Sequence, residues 1–333
     1  MTEWSEEKEK RILSRYRFTL TVRVIIVLLL CLFVFWAYKM IVTASFMSLH
    51  LDKKHVYYTK VATDWTIPNL EEDFGGHVIT DITPFLTQKM TYPVVRKVGK
   101  ENKVVGEMNI SKTFFGTNSQ RTIQYLEKGL GNNYPFYLPE HPKTGAKLDA
   151  GGNPNVWTKL DKVHEGTVAE LSFSTSKFMT AEELLQLLKP YDVDVLWAPL
   201  YTGEFKTIKD VSYSSSTGLI SLSSIFGLSG GRDAGDDYMS EGKINVLTEE
   251  RLSDSKQRML TNMDNLLKNE GKSYYENFLG LYYLQERYDY LKKNGFTVYG
   301  AVVTGPVKEL LKLKDVKEIR GAQLGEMDYW NWE

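Results

Sequence analysis

Hydrophobic positions are spread very unevenly along this chain. From Val24 to Tyr38 there is no charged residue and nothing that breaks a helix. Arg23 and Lys39 bracket the run, and both can snorkel their charged ends to lipid headgroups. With its apolar neighbours, from Phe18 to about Val42, the run is long enough to cross a bilayer at roughly 20 residues per span. Trp36 and Tyr38 fall where an interfacial aromatic belt would lie. Ahead of the run, Ser5 reads as an N-cap with Glu6 and Glu7 in the first turn. Glu6 with Lys10, and Glu7 with Arg11, have the favourable i,i+4 orientation. Ile12, Leu13 and Tyr16 make a narrow apolar stripe. The pattern predicts a helical extension of the span lying at the lipid surface, with a docking helix for a cytosolic protein as the sharper alternative. The chain divides into a short tail (1–20), a transmembrane helix (21–43), a β-rich membrane-proximal region (44–160) and an α+β C-terminal part (161–333).

The body has the texture of an α+β domain. Val56 to Thr66 is amphipathic and either continues the helix or begins a strand. Gly75-Gly76 marks a turn, and His77 to about Phe115 is strand-like. Residues 116–164 are rich in Gly, Asn, Pro and Lys, with Leu148 to Pro154 the clearest loop. In Thr167–Thr175, Ala169, Leu171 and Phe173 alternate as on a half-buried strand. Thr180 and Glu183 form a capping box, the helix behind them stops at Pro190, and Val193 to Ala198 is the next strand. That connection suits a parallel pair. The pattern recurs: Phe296 to Thr304 reads as a central strand, Gly305-Pro306 opens a short helix with Pro at its first position, and Val316 to Trp330 returns as strand. Between the units, Ser273 and Glu276 suggest another capping box. It would open a helix with Phe278, Leu281, Leu284, Tyr288 and Leu291 on one stripe, ending at Asn294-Gly295. Two βαβ-like units with helices on one face predict a sandwich of ferredoxin-like plan.

Charge sets the expected orientation. Lys8, Lys10, Arg11, Arg15, Arg17 and Arg23 precede the span, while Lys39, Lys53, Lys54 and Lys60 follow it. The bias favours a cytoplasmic amino end and an extracytoplasmic body. The rival is a cleaved signal peptide at Val42-Thr43-Ala44, against which Lys39 interrupts the apolar run. Cys31, the single cysteine, lies in the span and lacks small residues before it, so it is not a lipoprotein cysteine and the body holds no disulfide. The first 43 residues take seven of the 41 Lys/Arg and four of the 42 Asp/Glu, leaving the remainder at roughly −4. Nothing there attracts nucleic acid.

A search for chemistry finds none. His50, His55, His77, His141 and His164 are scattered without metal-ligand spacing, and each reads as a surface residue. Gly227-Leu-Ser229-Gly-Gly231 spells a nucleophile elbow, but the loop-like Arg232 to Asp237 stands where a helix must follow. Asp233, Asp236, Asp237 and Glu241 do not have the spacing of a calcium loop and read as a solvated acidic loop. Gly300 to Gly305 has phosphate-loop spacing, yet Pro306 and Val307 stand where Lys and Ser/Thr must be. The expectation is no catalysis, no cofactor, no metal and no small-molecule substrate.

Four segments resemble a known family. Glu165 to Thr175, Tyr191 to Trp197, Asn294 to Pro306 and Leu324 to Trp332, together with the basic tail, are similar to the sigma factor regulators. These are single-span anti-sigma factors of Bacillus-type bacteria, and the likeness is to the anti-sigma-M type. The resemblance implies a membrane-anchored regulator that holds an extracytoplasmic-function sigma factor and senses envelope state with its outer domain, acting by binding. Relatives of this type carry a longer cytoplasmic segment than the roughly 20 residues here. Either a short helix presenting Trp4, Ile12, Leu13 and Tyr16 suffices for the sigma factor, or the chain works with a second membrane protein. An envelope binding or assembly protein without direct sigma control is the alternative.

Overall fold

The computed structural model describes residues 6–73, 78–114, 119–127, 134–216 and 218–329. Trp4, the Ser5 cap, the Glu6–Lys10 pair, the Gly75–Gly76 turn, His77, and Trp330 to Trp332 lie outside the described residues or side chains.

The apolar run folds as part of one helix, α1 (Glu6–Ser48), which carries the tail and the span without a break. Its most apolar stretch touches nothing else in the protein (0% buried), as a lipid-facing surface should. The Thr19 and Thr21 hydroxyls donate to Arg15 and Arg17 carbonyls at 2.8 and 2.9 Å, so neither needs water. At His50 the backbone turns left-handed (φ 48°) and a second helix starts at once, α2 (Leu51–Thr66). The open choice at Val56–Thr66 therefore resolves as helix. Where α1 is bare, α2 is enclosed: Val56, Tyr57, Tyr58, Val61, Ala62 and Trp65 are all buried.

The membrane-proximal region is β-rich, as expected. β1 (Glu71–Glu72), β2 (Ile79–Ile82), β3 (Thr87–Val98), β4 (Glu101–Thr113) and β5 (Gln120–Tyr125) form an antiparallel sheet in the order β1-β3-β4-β5, with β2 on β3. Gly99 turns the β3–β4 hairpin at φ 65°, and a side chain there would strike Val168. The hairpin tip is pinned to the rest of the body by a 2.7 Å bond from the Gly99 N–H to Thr304 Oγ1.

The C-terminal part opens with α3 (Val156–Lys162), then β6 (Thr167–Thr180), α4 (Ala181–Leu188) and β7 (Asp194–Tyr201). The hairpin β8 (Tyr213–Ser216) and β9 (Leu219–Leu222) follows, then β10 (Phe226–Ser229) and a small hairpin, β11 (Arg232–Ala234) with β12 (Glu241–Lys243). α5 (Leu252–Asn269), a π-helical turn (Ser273–Phe278) and α6 (Leu284–Asn294) lead to β13 (Thr297–Pro306), α7 (Val307–Lys312) and β14 (Ile319–Tyr329). The sheet order is β10-β7-β13-β6-β14, every pair antiparallel.

Both predicted βαβ units exist, but each is split. β6 and β7 run the same way and are held apart by β13; β13 and β14 are held apart by β6. The two strands of each unit run parallel without being neighbours, which is the interleaving of the expected ferredoxin-like plan, with β10 added at one edge. The reason lies in β13, which is buried along both faces and needs a partner on each side. Its alternate residues serve two clusters. Ala301 and Val303 join the large core with Leu171, Phe173, Leu184, Met263 and Leu310, while Val302 joins Trp197, Phe136, Leu138 and Ile220 on the opposite face. The large core also takes in Trp65, Met90, Val94 and Met108, so one apolar cluster runs on both sides of residue 160. For the same reason β6 is buried on both faces over Thr167–Thr175, not half-buried.

Local signals fared variably. The Thr180–Glu183 capping box forms with both bonds present (2.7 and 3.1 Å). Pro306 stands one position earlier than expected, at the N-cap of α7. The helix expected from Ser273 does not run through: it breaks at Gly280 (φ 74°) and Tyr283 (φ 59°). The break lets Leu279 be buried together with Leu281 and Leu284, which one continuous face could not do. Glu276 reaches past the break to accept from the Tyr283 N–H at 3.3 Å.

His55 also departs from expectation. It is buried on α2 with Nδ1 2.9 Å from the Tyr274 hydroxyl, and its ring packs on Tyr274 and Phe278. Burial first, then the nearby Lys112 and Lys54 charges, lowers its pKa from 6.5 to about 3. The folded chain therefore refuses a proton that the unfolded chain accepts. His55 contributes fully above pH 6.5, and the contribution fades as pH falls toward 3. Unfolding of the full chain in detergent should lose about 1.4 kcal/mol per pH unit through this residue between pH 6 and 4. His55→Gln should remove that share of the slope, and an unchanged slope would contradict the assignment.

Candidate functional site

Three places are candidates for function: the tail, the ends of the span, and a buried charge cluster that meets the helix behind the span. In the tail, Ile12, Leu13 and Tyr16 lie along one side of α1 and are 57%, 48% and 68% exposed. The body does not cover them. At the amino-terminal end of the span Arg23 is exposed. At the carboxy-terminal end of the span Trp36, Tyr38 and Lys39 are exposed as well, and Trp36 lies against Phe33 with ring centroids 6.3 Å apart. The Tyr38 hydroxyl donates to the Pro84 carbonyl at 2.9 Å, which ties this end of the span to the body.

The charge cluster was not foreseen. Arg232, read above as the start of a loop, is the first residue of β11 and is buried. Its guanidinium makes two forks. Nε and Nη2 donate to the Asp64 carboxylate at 2.7 and 3.2 Å, while Nη1 and Nη2 donate to Glu72 at 2.8 and 2.7 Å. Nη1 also reaches Glu241 at 3.2 Å, and Glu241 binds Lys60 at 3.1 Å. Lys243 pairs with Glu71 at 2.8 Å. Asp64 and Lys60 belong to α2, Glu71 and Glu72 to β1, and Glu241 and Lys243 to β12, so with Arg232 of β11 the cluster ties four elements together. Burial alone would raise the Glu72 carboxyl, but Arg232 beside it outweighs this and holds it at about 2. Burial raises Glu71, against Lys243. The Asp64 carbonyl also accepts from the Trp197 indole N–H at 3.0 Å, which locks the end of α2 to the second sheet.

Above the cluster is an open cleft of about 410 Å³. Tyr57, Tyr58 and Tyr238 form its aromatic wall, and Arg258, Asn262 and Asn265 of α5 its polar one. Tyr57 donates to Asn262 Oδ1 at 2.8 Å. Burial raises the phenol pKa of Tyr57 and Tyr58, so both hydroxyls stay protonated at ordinary pH. The cleft offers hydrogen bonds and aromatic surface, which suits binding.

The rejected motifs have structural explanations. Ser229 ends β10 and leads through two glycines into β11, with no helix after it. Gly227 leaves room for the Trp197 ring, and Gly230 lies against the Ile244 carbonyl. Gly300 to Gly305 lies within β13. Asp233 pairs with Arg258 at 3.0 Å, Asp237 accepts from the Met239 N–H, and Glu241 belongs to the charge cluster. Among the described residues no three His, Cys, Asp or Glu side chains gather as metal ligands.

Arg232→Ala would leave two buried carboxylates without their forks and should cost about 3–5 kcal/mol in chemical unfolding of the full chain. Arg232→Lys should recover only part, because an ammonium cannot fork to two carboxylates. A loss within about 1 kcal/mol for Arg232→Ala would show that the cluster does not hold α2 in place.

Residues 10–103 match the family described as sigma factor regulator N-terminal, and residues 160–326 match sigma factor regulator C-terminal. The protein named "Probable anti-sigma-M factor YhdL" of Bacillus subtilis (strain 168) is 24% identical over 274 residues, which cover 80% of this chain and 67% of that relative. No solved structure matches the chain. The N-terminal match takes in the span, α2 and β3 up to the turn into β4, and the C-terminal match takes in the split βαβ sheet; with both in place, the chain belongs to the sigma factor regulator family.

Proposed function

We propose that this protein is a membrane-anchored anti-sigma factor that acts by sequestration. In this reading the tail lies in the cytoplasm and offers Ile12, Leu13 and Tyr16, with Trp4, to an extracytoplasmic-function sigma factor. The body lies outside and responds to the state of the envelope. The observation that carries the proposal is the uncovered apolar stripe on a helix that runs without a break into the span. The excess of Lys and Arg before the span supports the cytoplasmic placement of the tail. The basis for signalling is the continuity from α1 across His50 into α2, whose Asp64 and Lys60 sit in the charge cluster beneath the cleft. A ligand or strain that shifts the cluster would act on the helix directly behind the span.

Two experiments test this. External protease applied to intact protoplasts should destroy body fragments and spare a tag on the tail; full protection of the body would put it in the cytosol and overturn the sensing model. Membranes carrying the full chain should retain a sigma factor on purification, and Ile12→Asp with Tyr16→Asp should release it. If the partner profile of that double variant is unchanged, the tail is only a flank of the anchor.

A further inference from the structure

The turn between β2 and β3 is built unlike an ordinary solvent loop. It spans Thr83 to Leu86 and is closed by bonds from the Leu86 N–H to the Thr83 carbonyl (3.0 Å) and from the Thr83 N–H to the Thr87 carbonyl (2.9 Å). Leu86 holds a left-handed backbone (φ 56°), which fixes the shape of the tip. The Leu86 carbonyl accepts from the Phe114 N–H at 3.0 Å, so β4 backs the turn. At the tip Phe85 is 87% exposed, more than any other large apolar side chain described on the body.

The position of the turn relative to the span gives that exposure a meaning. The Tyr38 hydroxyl holds the Pro84 carbonyl, and a little over two turns further along α1 the Phe46 ring packs edge-on against Phe114 with centroids 5.9 Å apart. The same sheet end therefore leans on α1 at two heights. Helical side chains point back toward the amino terminus, so the Tyr38 hydroxyl lies on the bilayer side of its own Cα. Residue 38 is about 12 Å along the helix from residue 30, the middle of the apolar run, at 1.5 Å per residue. Half of a hydrocarbon core is about 15 Å. With α1 along the bilayer normal, Pro84 is thus held within a few Å of the hydrocarbon boundary, and the exposed Phe85 is the next residue in the turn.

We propose that the Thr83–Leu86 turn is a second membrane contact, in which Phe85 enters the boundary between lipid headgroups and acyl chains. The contact fixes the height and rotation of the body on the membrane surface, so that the body is docked on the bilayer and not merely tethered by α1. The partner is lipid, because the Tyr38 bond places the tip at the depth of the aromatic belt. The inference rests on α1 crossing the bilayer and is independent of which side the body faces.

The test uses the full chain with Cys31→Ser, reconstituted in vesicles of phosphatidylcholine and phosphatidylglycerol. Single cysteines at Phe85, Leu30 and Lys143 carry an environment-sensitive fluorophore, and the vesicles contain lipids with a nitroxide quencher near the top of the acyl chain. Phe85 and Lys143 are exposed, so these substitutions should not disturb folding. The label at 85 should emit at shorter wavelength than the label at 143 and be quenched severalfold more. If 85 behaves like 143 while 30 remains in a lipid environment, the second contact is wrong and the span stands. If the label at 30 also reports water, the span reading fails and takes the contact with it.

Discussion

The two forks of Arg232 are the constraint on which the rest of the structure depends. A guanidinium shut away from water is tolerable only when its donors find carboxylates of matching geometry. Asp64 and Glu72 supply that match, and Glu241, Lys60, Lys243 and Glu71 extend the pairing outward. Three cations face four anions, so the cluster is close to neutral as a unit. It brings β1 of the first sheet, α2 and the β11–β12 hairpin to one point. β1 has two residues and β11 and β12 three each, too few to fix their places by apolar packing alone, whereas α2 also buries an apolar face.

The cluster also determines where the membrane helix ends up. α1 makes few contacts with the body, and α2 is enclosed by it. The two are separated by only Leu49 and His50. The far end of α2 is held by Arg232 through the Asp64 side chain and by Trp197 through the Asp64 carbonyl. A mechanical path therefore runs from the bilayer to the second sheet with one short joint in it. His55 lies early on this path, in an apolar and aromatic setting that keeps its ring neutral.

How much could be read in advance followed the range of each interaction. The Thr180–Glu183 box closes over three residues, so its letters suffice. The β-rich texture after His77 and the both-sided apolarity of β13 were equally plain. The helix expected from Ser273 failed because its stripe was right but incomplete: the burial of Leu279 requires a break that no periodicity announces. Arg232 looked like part of an acidic loop because its partners are 168 and 160 residues away. His55 looked like a surface residue for a similar reason, its aromatic cover coming from Tyr274 and Phe278. One signal for Arg232 was available: a lone cation opening an acidic run, directly after paired glycines, in a segment otherwise strand-like.

By itself the chain's letter order determined the membrane helix, the amino-terminal charge bias, the strands β6, β7, β13 and β14 with the capped helix α4, and the resemblance to the family. Each depends on partition into lipid or on neighbours a few residues apart. Only the tertiary structure decided the strand order, the interleaving of the two βαβ units, and the gathering of Arg232, Asp64 and Glu72. These depend on contacts between segments far apart in the chain, where many pairings satisfy the same local pattern and only simultaneous burial selects one.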